Sequence, residues 1–586
     1  MEFDAIVLGT GLSESIAAAA LSKAGFKVAH VDNNQYYGGD EASLTLDELA
    51  EWADIRSGRK DTPSSDYLAT QKERYTSISR SESIPPQSRQ YAVSLAPSVV
   101  PSIGSHIDAL VASGVSRYGS FKLLEKVAVY DRPGFVQSVP GSKEDVFKSK
   151  ALSLIDKRRL MRFLMFAAGE FEDKKELEGK EQMPFSQYLR EVFSLNGKAV
   201  NAIAYAIAFC TTGEEHTLPV LRRIRQYLRS AGRYGASPFL VGHYGGLGET
   251  AQGFCRTSAV KGGTYILGRR VLSVKASSLA DSLEVEKAAS DSAKTAARYE
   301  VQLEDIDEQL TSTILLSAPD YVRPSAPITS SSHDVPSVSH AHYPIARCIA
   351  ILEHPLVFTP VDAPEETPAP EVEESIEGVE DELSDKPAPP NYEVDTALLV
   401  FPPGALPDGS TTTAAHALVT GEASMSAPRG KYILNISLPL PTSDPSSPKE
   451  LLRPYLEAAL SLAISPSSPE TTPTRPLFTV FYTHNPPSGA APPSTPSDSG
   501  AILTPPPTQL LPAIADVATE NAEAMFWKAV EQLKAAGVRR SVVKESYKKS
   551  DGEEEKVYDE RKPEEIDSFW PPLDATEEDS STADEW

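Results

Sequence analysis

Apolar residues 3–8 (Phe-Asp-Ala-Ile-Val-Leu) form a nearly unbroken run, which predicts a strand buried on both faces. Glycines follow at once, then small residues over 15–24, which predict a helix. Residues 27–31 predict a second strand, ending at Asp32. Residues 46–52 read as a short helix and 57–88, polar and Ser-rich, as a loop or insertion. Residues 93–103 read as extended and 106–113 as a helix stopped by Gly114. Residues 121–130 and 135–139 read as strands around a turn at Arg132-Pro133-Gly134. The period then changes. Ser142 with Asp145 resembles a capping box, and Phe147, Ala151, Leu154, Ile155, Arg158 and Met161 follow at helical spacing. Residues 184–195, 198–210 and 217–231 continue in that mode, which predicts a helical insertion over 142–232.

After Pro238 the α/β pattern resumes. Strands are expected over 271–274, 299–303, 311–316, 347–352, 396–401, 432–438 and 477–482, and a helix over 518–536, stopped by Gly537. Pro/Glu- and Pro/Ser-rich stretches (355–392, 440–450, 464–476, 485–507) are expected as loops or disorder. The expected organisation is a first α/β part over 1–141, a helical domain over 142–232, and the α/β part continued over 233–354. An acidic loop (355–392), a C-terminal α/β part (393–548) and an acidic disordered tail (549–586) follow.

Composition sharpens this picture in three places. The chain has 586 residues, enough for several domains, and a net charge of −26, which argues against nucleic acid as a partner. The charge is concentrated: residues 361–386 carry 11 acidic residues against one lysine, and 551–586 carry 15 against three basic. Solubility or partner binding would each account for these runs. Cys210, Cys255 and Cys348 are far apart and in no metal spacing, so neither disulfides nor a zinc site is expected. No apolar run is long enough to span a membrane, and Met1 leads into the first strand without a leader pattern.

The candidate chemistry begins at the first turn. Gly9-Thr10-Gly11 between strand and helix, with Asp32 closing the next strand, is the fingerprint of a Rossmann-type dinucleotide site. Its third glycine is missing. Glu14 stands there, a carboxylate in the helical turn whose amides would hold a diphosphate. The scaffold resembles that of flavoproteins with its cofactor site disabled, so no cofactor is expected. Tyr36-Tyr37-Gly38-Gly39 follows closely; its tyrosines either pack on the sheet edge or serve recognition. Glu249 and Arg256 lie seven apart, on one face of a helix, as a surface pair or a docking pair. No Gly-x-Ser-x-Gly elbow, Walker loop or zinc pattern occurs, so catalytic and metal residues are not expected.

Several segments together resemble the superfamily of Rab GDP-dissociation inhibitors and Rab escort proteins. They are Val7–Ser15, Asp32–Gly39, Arg233-Tyr234-Gly235-Ala236-Ser237-Pro238, Gly248-Glu249-x-x-Gln252-Gly253-Phe254-x-Arg256 and Gly262-Gly263-Thr264-Tyr265. They cover residues 1–270 in the family's order. Two departures stand out: Tyr91 replaces a tryptophan, and Tyr244–Glu249 is one glycine longer than the family pattern.

The resemblance implies an α/β multidomain fold, with an FAD/NAD(P)-binding-like Rossmann domain, a mixed sheet and an inserted all-helical domain, without cofactor. It implies binding of Rab GTPases in the GDP state through Tyr37, Arg89, Glu249, Arg256 and Ile266. The insertions and the tail are more similar to the escort branch. That branch presents Rab to the Rab geranylgeranyl transferase heterodimer and shelters the geranylgeranyl group, in the cytoplasm with transient membrane contact. An inhibitor recycling prenylated Rab is the alternative, and a flavin-dependent amine oxidase the remote one. Phe163, Phe166, Ile203, Ile207 and Cys210 are candidates to line a prenyl pocket or are ordinary core. Arg222, Arg223 and Arg225 are candidates to dock the transferase or form a solvated face.

Overall fold

In the computed structural model the opening apolar run lies inside a seven-stranded sheet. The structure describes residues 1–139, 153–277, 298–322, 343–361, 392–441, 446–463, 475–487, 501–508, 510–538, 542–548, 554–559 and 566–570. Glu2–Leu8 pairs in parallel with Val28–Asp32 on one side and Leu310–Ser317 on the other. Thr264–Leu267 extends the parallel part beyond Val28–Asp32, while Arg298–Leu303 and Val271–Ser277 close the far side antiparallel. Parallel strands buried on both faces require covering helices.

The helices are α1 (Leu12–Lys23), α2 (Leu46–Ser57), α3 (Asp66–Arg74), α4 (Ser105–Ser113), α5 (Leu154–Ala168), α6 (Phe185–Phe193), α7 (Gly197–Asn201), α8 (Thr217–Ser230), α9 (Leu247–Val260), α10 (Pro448–Leu460) and α11 (Ile514–Ala535). Helices α1, α9 and α11 cover one face of the first sheet. The run Ala17–Ala20 in α1 is wholly buried and lets α9 and α11 approach closely. A second, eight-stranded sheet runs from Tyr75–Arg80 through Phe478–His484, Ile345–Leu352, Tyr432–Pro439, Ala415–Thr420, Ala397–Phe401 and Lys126–Arg132 to Phe135–Ser138. Helices α5–α8 form the helical layer, and a segment at Ala202–Ile207 continues α7 with π-type winding.

Four expectations need correction. The polar stretch 57–88 contains α3 and the strand Tyr75–Arg80 rather than only a loop. The first turn of α10 falls within the 440–450 stretch expected as loop, and Ile502–Leu503 joins the first sheet inside the 485–507 stretch; Ala415–Thr420 is a further strand. Within the tail expected to be disordered, Glu554–Asp559 pairs with Val542–Lys548, and Phe569 is buried against the body. The capping box at Ser142 and Asp145 falls outside the described residues, as does most of the 355–392 loop. Among described residues Ser153 caps α5, its hydroxyl accepting from Asp156 N at 3.1 Å.

Candidate functional site

The fingerprint turn of the first βαβ unit is intact in backbone and closed to a dinucleotide. Gly9 turns with φ +98°. Asp32, placed by the end of its strand, accepts from Thr10 N (2.8 Å), Thr10 Oγ1 (2.6 Å), Asn34 N (2.7 Å), Asn34 Nδ2 (2.9 Å) and Tyr321 Oη (2.9 Å). Both carboxylate oxygens are thereby taken up by the protein, and none is left for a ribose. Tyr321 packs on Gly9 and against Tyr67, with ring centroids 4.7 Å apart, where the nucleoside would lie.

Glu14 folds back over the turn, so that a Cβ on Gly11 would stand 2.5 Å from its Oε2. Its other oxygen accepts from the Thr504 hydroxyl. Burial pushes its carboxyl up to about 7, and the hydrogen bond from Thr504 only partly opposes this. Glu41 accepts from Leu12 N at 3.3 Å and is likewise pushed up, first by burial and then by the charges of Asp40 and Glu14. Arg74, ion-paired with Asp40 and Asp320, closes the floor. The remaining cavity measures about 60 Å³, room for a few waters. These residues do not fit a flavin or nicotinamide dinucleotide: carboxylates stand where phosphates would, and aromatic side chains fill the nucleoside's place.

The same turn carries a surface loop. Gly38 N donates to Thr10 O at 3.0 Å, fastening Tyr36–Gly39 over the cleft. Gly38 has φ +102°, and a Cβ there would meet Ala42 Cα at 2.9 Å and Gly248 Cα at 3.0 Å. Gly248 in turn presses on the chain, since a Cβ would stand 2.6 Å from Ser43 N. These two glycines bring the Tyr37 loop and the first turn of α9 together, and so bring Tyr37 to the helix of Glu249 and Arg256.

Glu249 is half-buried, and burial raises its carboxyl. No hydrogen bond or ion pair reaches it among the described residues. Arg256 is exposed, with its guanidinium 4.6 Å from the centre of the Tyr118 ring. Arg89 is exposed on a single turn, Ser88–Gln90, three residues before Ala92. Ile266 lies apart from these. It pairs in register with Val31 and packs on the face opposite Tyr265, and it is Tyr265 whose ring meets that of Tyr37 (centroids 6.3 Å).

Three exposed side chains complete this surface and were not singled out from the sequence: Tyr118, Tyr244 and Met425. Tyr244 and Met425 both hold φ +53°, unusual for non-glycine residues. They are neighbours because Tyr244 N donates to Ser424 O at 3.1 Å, and Ala92 N donates to Ser426 O at 2.8 Å, which ties them to the Arg89 turn. The glycines after Tyr244 were a signal for that loop. Met425, some 180 residues later, had none.

A family model described as "GDI: GDP dissociation inhibitor" matches residues 1–296, half of the chain, including every residue of the cleft's turn, the Tyr37 loop and α9. The chain belongs to the GDP dissociation inhibitor family. Curated relatives named "Rab proteins geranylgeranyltransferase component A" match it at 34% identity in Candida albicans and Drosophila melanogaster. The first match covers 45% of this chain and 40% of that protein, the second 46% and 53%. The chain thus spans about half or less of these relatives' length. Among solved structures, a Rab GDI from Plasmodium falciparum superposes over 90% of this chain and 98% of its own, with a TM-score of 0.57 at 19% identity. An oxidoreductase from Methanosarcina mazei superposes over 90% and 100%, with a TM-score of 0.51 at 13% identity. The fold is therefore an α/β fold that this GDI-family chain shares with that Rab GDI and that oxidoreductase.

The helical layer of this GDI-family chain places the remaining candidates. Phe163, Ile203 and Cys210 are fully buried, and Phe166 and Ile207 pack on the same core. Phe163 meets Phe193 edge-on at 5.2 Å, and Phe166 meets it at 5.3 Å. The five residues are brought together, but in closed packing. The three arginines of α8 are not one stripe. Arg223 is mostly covered, pairing with Glu215 at 2.8 Å and donating to Ala208 O at 2.7 Å. Arg225 bridges Glu170 and Glu172 and lies 4.5 Å from the centre of the Phe171 ring. Only Arg222 of the three is exposed. No helix among the described residues is long and apolar enough to cross a membrane.

Proposed function

We propose that this chain is a Rab escort protein, the accessory component that presents GDP-bound Rab GTPases to a geranylgeranyl transferase. It does no bond chemistry of its own. The observation that carries this reading is Glu249: a half-buried carboxylate without a partner among the described residues, next to exposed Arg256 and half-buried Tyr37, on the edge of a cleft that has no room for a cofactor. A desolvated charge without a partner is unfavourable in the free protein and becomes favourable when a docked protein supplies a donor. Tyr37, Tyr118, Tyr244 and Met425 surround it with apolar area of the kind that anchors interfaces. Arg89 and Arg256 supply donors for acidic groups of the GTPase, and Ile266 contributes from beneath the edge strand rather than at the contact.

The lipid step follows from the helical layer. Each methylene of a geranylgeranyl chain gains about 0.8 kcal/mol on leaving water. The π-wound turn Ala202–Ile207, which carries Ile203 and Ile207 and leads to Cys210, is the weak point at which helices would separate to admit it. Arg222 is the α8 arginine available to the transferase. Residence in the cytoplasm with transient membrane contact belongs to the same reading.

One assay decides. Unprenylated Rab, geranylgeranyl diphosphate and transferase are combined with and without the chain; prenylation is expected only with it. If the chain extracts prenylated Rab from membranes yet leaves the transferase idle, it is an inhibitor of the recycling kind. If it neither binds GDP-loaded Rab at micromolar concentration nor supports transfer, the proposal fails.

A further inference from the structure

Far from the cleft, at the back of α9, five residues of the acidic tail are seated on the body. Phe569 is buried, with its ring 6.2 Å from Phe254 of α9 and 5.2 Å from Lys23 Nζ at the end of α1. The Trp570 ring lies 5.6 Å from Phe526 of α11, and Ile566 packs on the same cluster. Lys23 makes the polar contacts, donating to Ser568 O at 2.7 Å and pairing with Asp567 at 2.9 Å.

What is missing is equally informative. Ile566–Trp570 belongs to no helix or strand, and among the described residues Lys23 supplies the one hydrogen bond from the body to it. Ser568 and Trp570 bond to each other, and the Trp570 indole N–H is buried without a partner. A segment held by two aromatic anchors and one cation, with no backbone ladder, is attached in the manner of a docked peptide rather than a core element.

We propose that the crevice between α1, α9 and α11 is a peptide-docking groove for an acidic Ile-x-x-Phe-Trp segment, and that the chain's own Ile566–Trp570 is its tethered, exchangeable occupant. Phe254 takes the phenylalanine, Phe526 the tryptophan, and Lys23 selects an acidic residue two positions before the phenylalanine. Tethering keeps the groove filled, because a linked segment faces its site at an effective concentration of order millimolar.

The test uses the full chain. Phe569→Ala with Trp570→Ala vacates the groove, and a fluorescent peptide spanning residues 564–574 is then added. The peptide is expected to bind this variant at least roughly tenfold tighter than the wild type, whose groove is filled in cis. A peptide with both aromatics changed to alanine is expected not to bind. Failure of the native peptide to bind the variant overturns the proposal. Lys23→Glu, a change at the groove's rim, gives a second reading by hydrogen exchange. The Trp570 amide, which donates to the Ser568 hydroxyl, is expected to be protected in the wild type and to lose that protection in the variant, with the first sheet unchanged. An unprotected Trp570 amide in the wild type would equally overturn it. Neither measurement involves a GTPase, so each can fail while the escort reading stands, and the reverse.

Discussion

The cleft and the platform meet where Gly38, just after the first βαβ unit, touches Gly248 of α9, and they treat polar groups in opposite ways. In the cleft every carboxylate oxygen of Asp32 has a donor from the chain, and Glu14 is covered by Thr504 and folded over Gly11. On the platform Glu249 has no partner among the described residues, and Tyr244 and Met425 stand exposed in αL conformations. An inward-satisfied site contributes to stability, whereas a site with open valences is available for binding. That difference separates a filled pocket from an open surface more sharply than pocket size does.

The largest expected effect breaks the cleft. Asp32→Ala orphans the buried N–H groups of Thr10 and Asn34 and should cost roughly 2–5 kcal/mol of unfolding free energy, read by chemical denaturation. If instead the change costs nothing and gains affinity for adenine nucleotides, the cleft is a competent cofactor site and the contrast collapses.

Glu14 gives a subtler, pH-dependent effect of opposite sign. Its carboxyl is pushed up to about 7, above the 4.5 of an unfolded glutamate. Between those values the folded protein holds a proton that the unfolded chain releases, so stability falls as pH rises through this window and stays low above it. Glu14→Gln keeps the acceptor for Thr504 and removes the titration. It should stabilise the protein by on the order of 3 kcal/mol at pH 8 and by little at pH 4. Equal melting shifts at both pH values would show that Glu14 is ionised at no such cost.

How much of this was legible depends on where the polar residues went. The strand-turn-helix at Gly9–Lys23 was readable because its apolar run and glycines are local. Helix α3 and the following strand were not, because their inner face is polar. Gln71 and Arg74 are buried through bonds to Asp320 and Asp40, which erases the hydrophobic period. Helix α10 was hidden by its own start signals. Ser447 and Glu450 form a capping box around Pro448, but a Ser-Pro segment reads equally well as a loop, and Pro454 recurs inside the helix. In the arginine triplet of α8 the charge was visible, while the acidic partners of Arg223 and Arg225 came from other elements. Tyr244 and Met425 meet only through tertiary structure.

On the platform the expected changes are in binding rather than folding. Tyr37→Ala and Arg256→Ala should each weaken GDP-loaded Rab by about 1–3 kcal/mol in titration calorimetry, provided they lie at the centre of the contact. Melting temperatures should stay near the wild type's, since Arg256 is exposed and Tyr37 is only half-buried. Loss of stability equal to the loss of binding would assign both to the fold.

The smallest effect makes the comparison sharpest, because it sets one glutamate against another. Glu249→Gln removes a half-buried charge that has no partner in the free chain, so unfolding stability should be unchanged or rise by less than about 1 kcal/mol. Rab affinity should nevertheless fall, because a donor on the GTPase loses an ionised acceptor. Glu14→Gln should do the reverse at pH 8, raising stability while leaving Rab affinity alone. The pair therefore forms a double dissociation, read with one thermal melt and one titration each. If Glu14→Gln weakens Rab binding as much as Glu249→Gln does, the Gly38–Gly248 contact is transmitting the state of the cleft to the surface, and the two regions are one site rather than two.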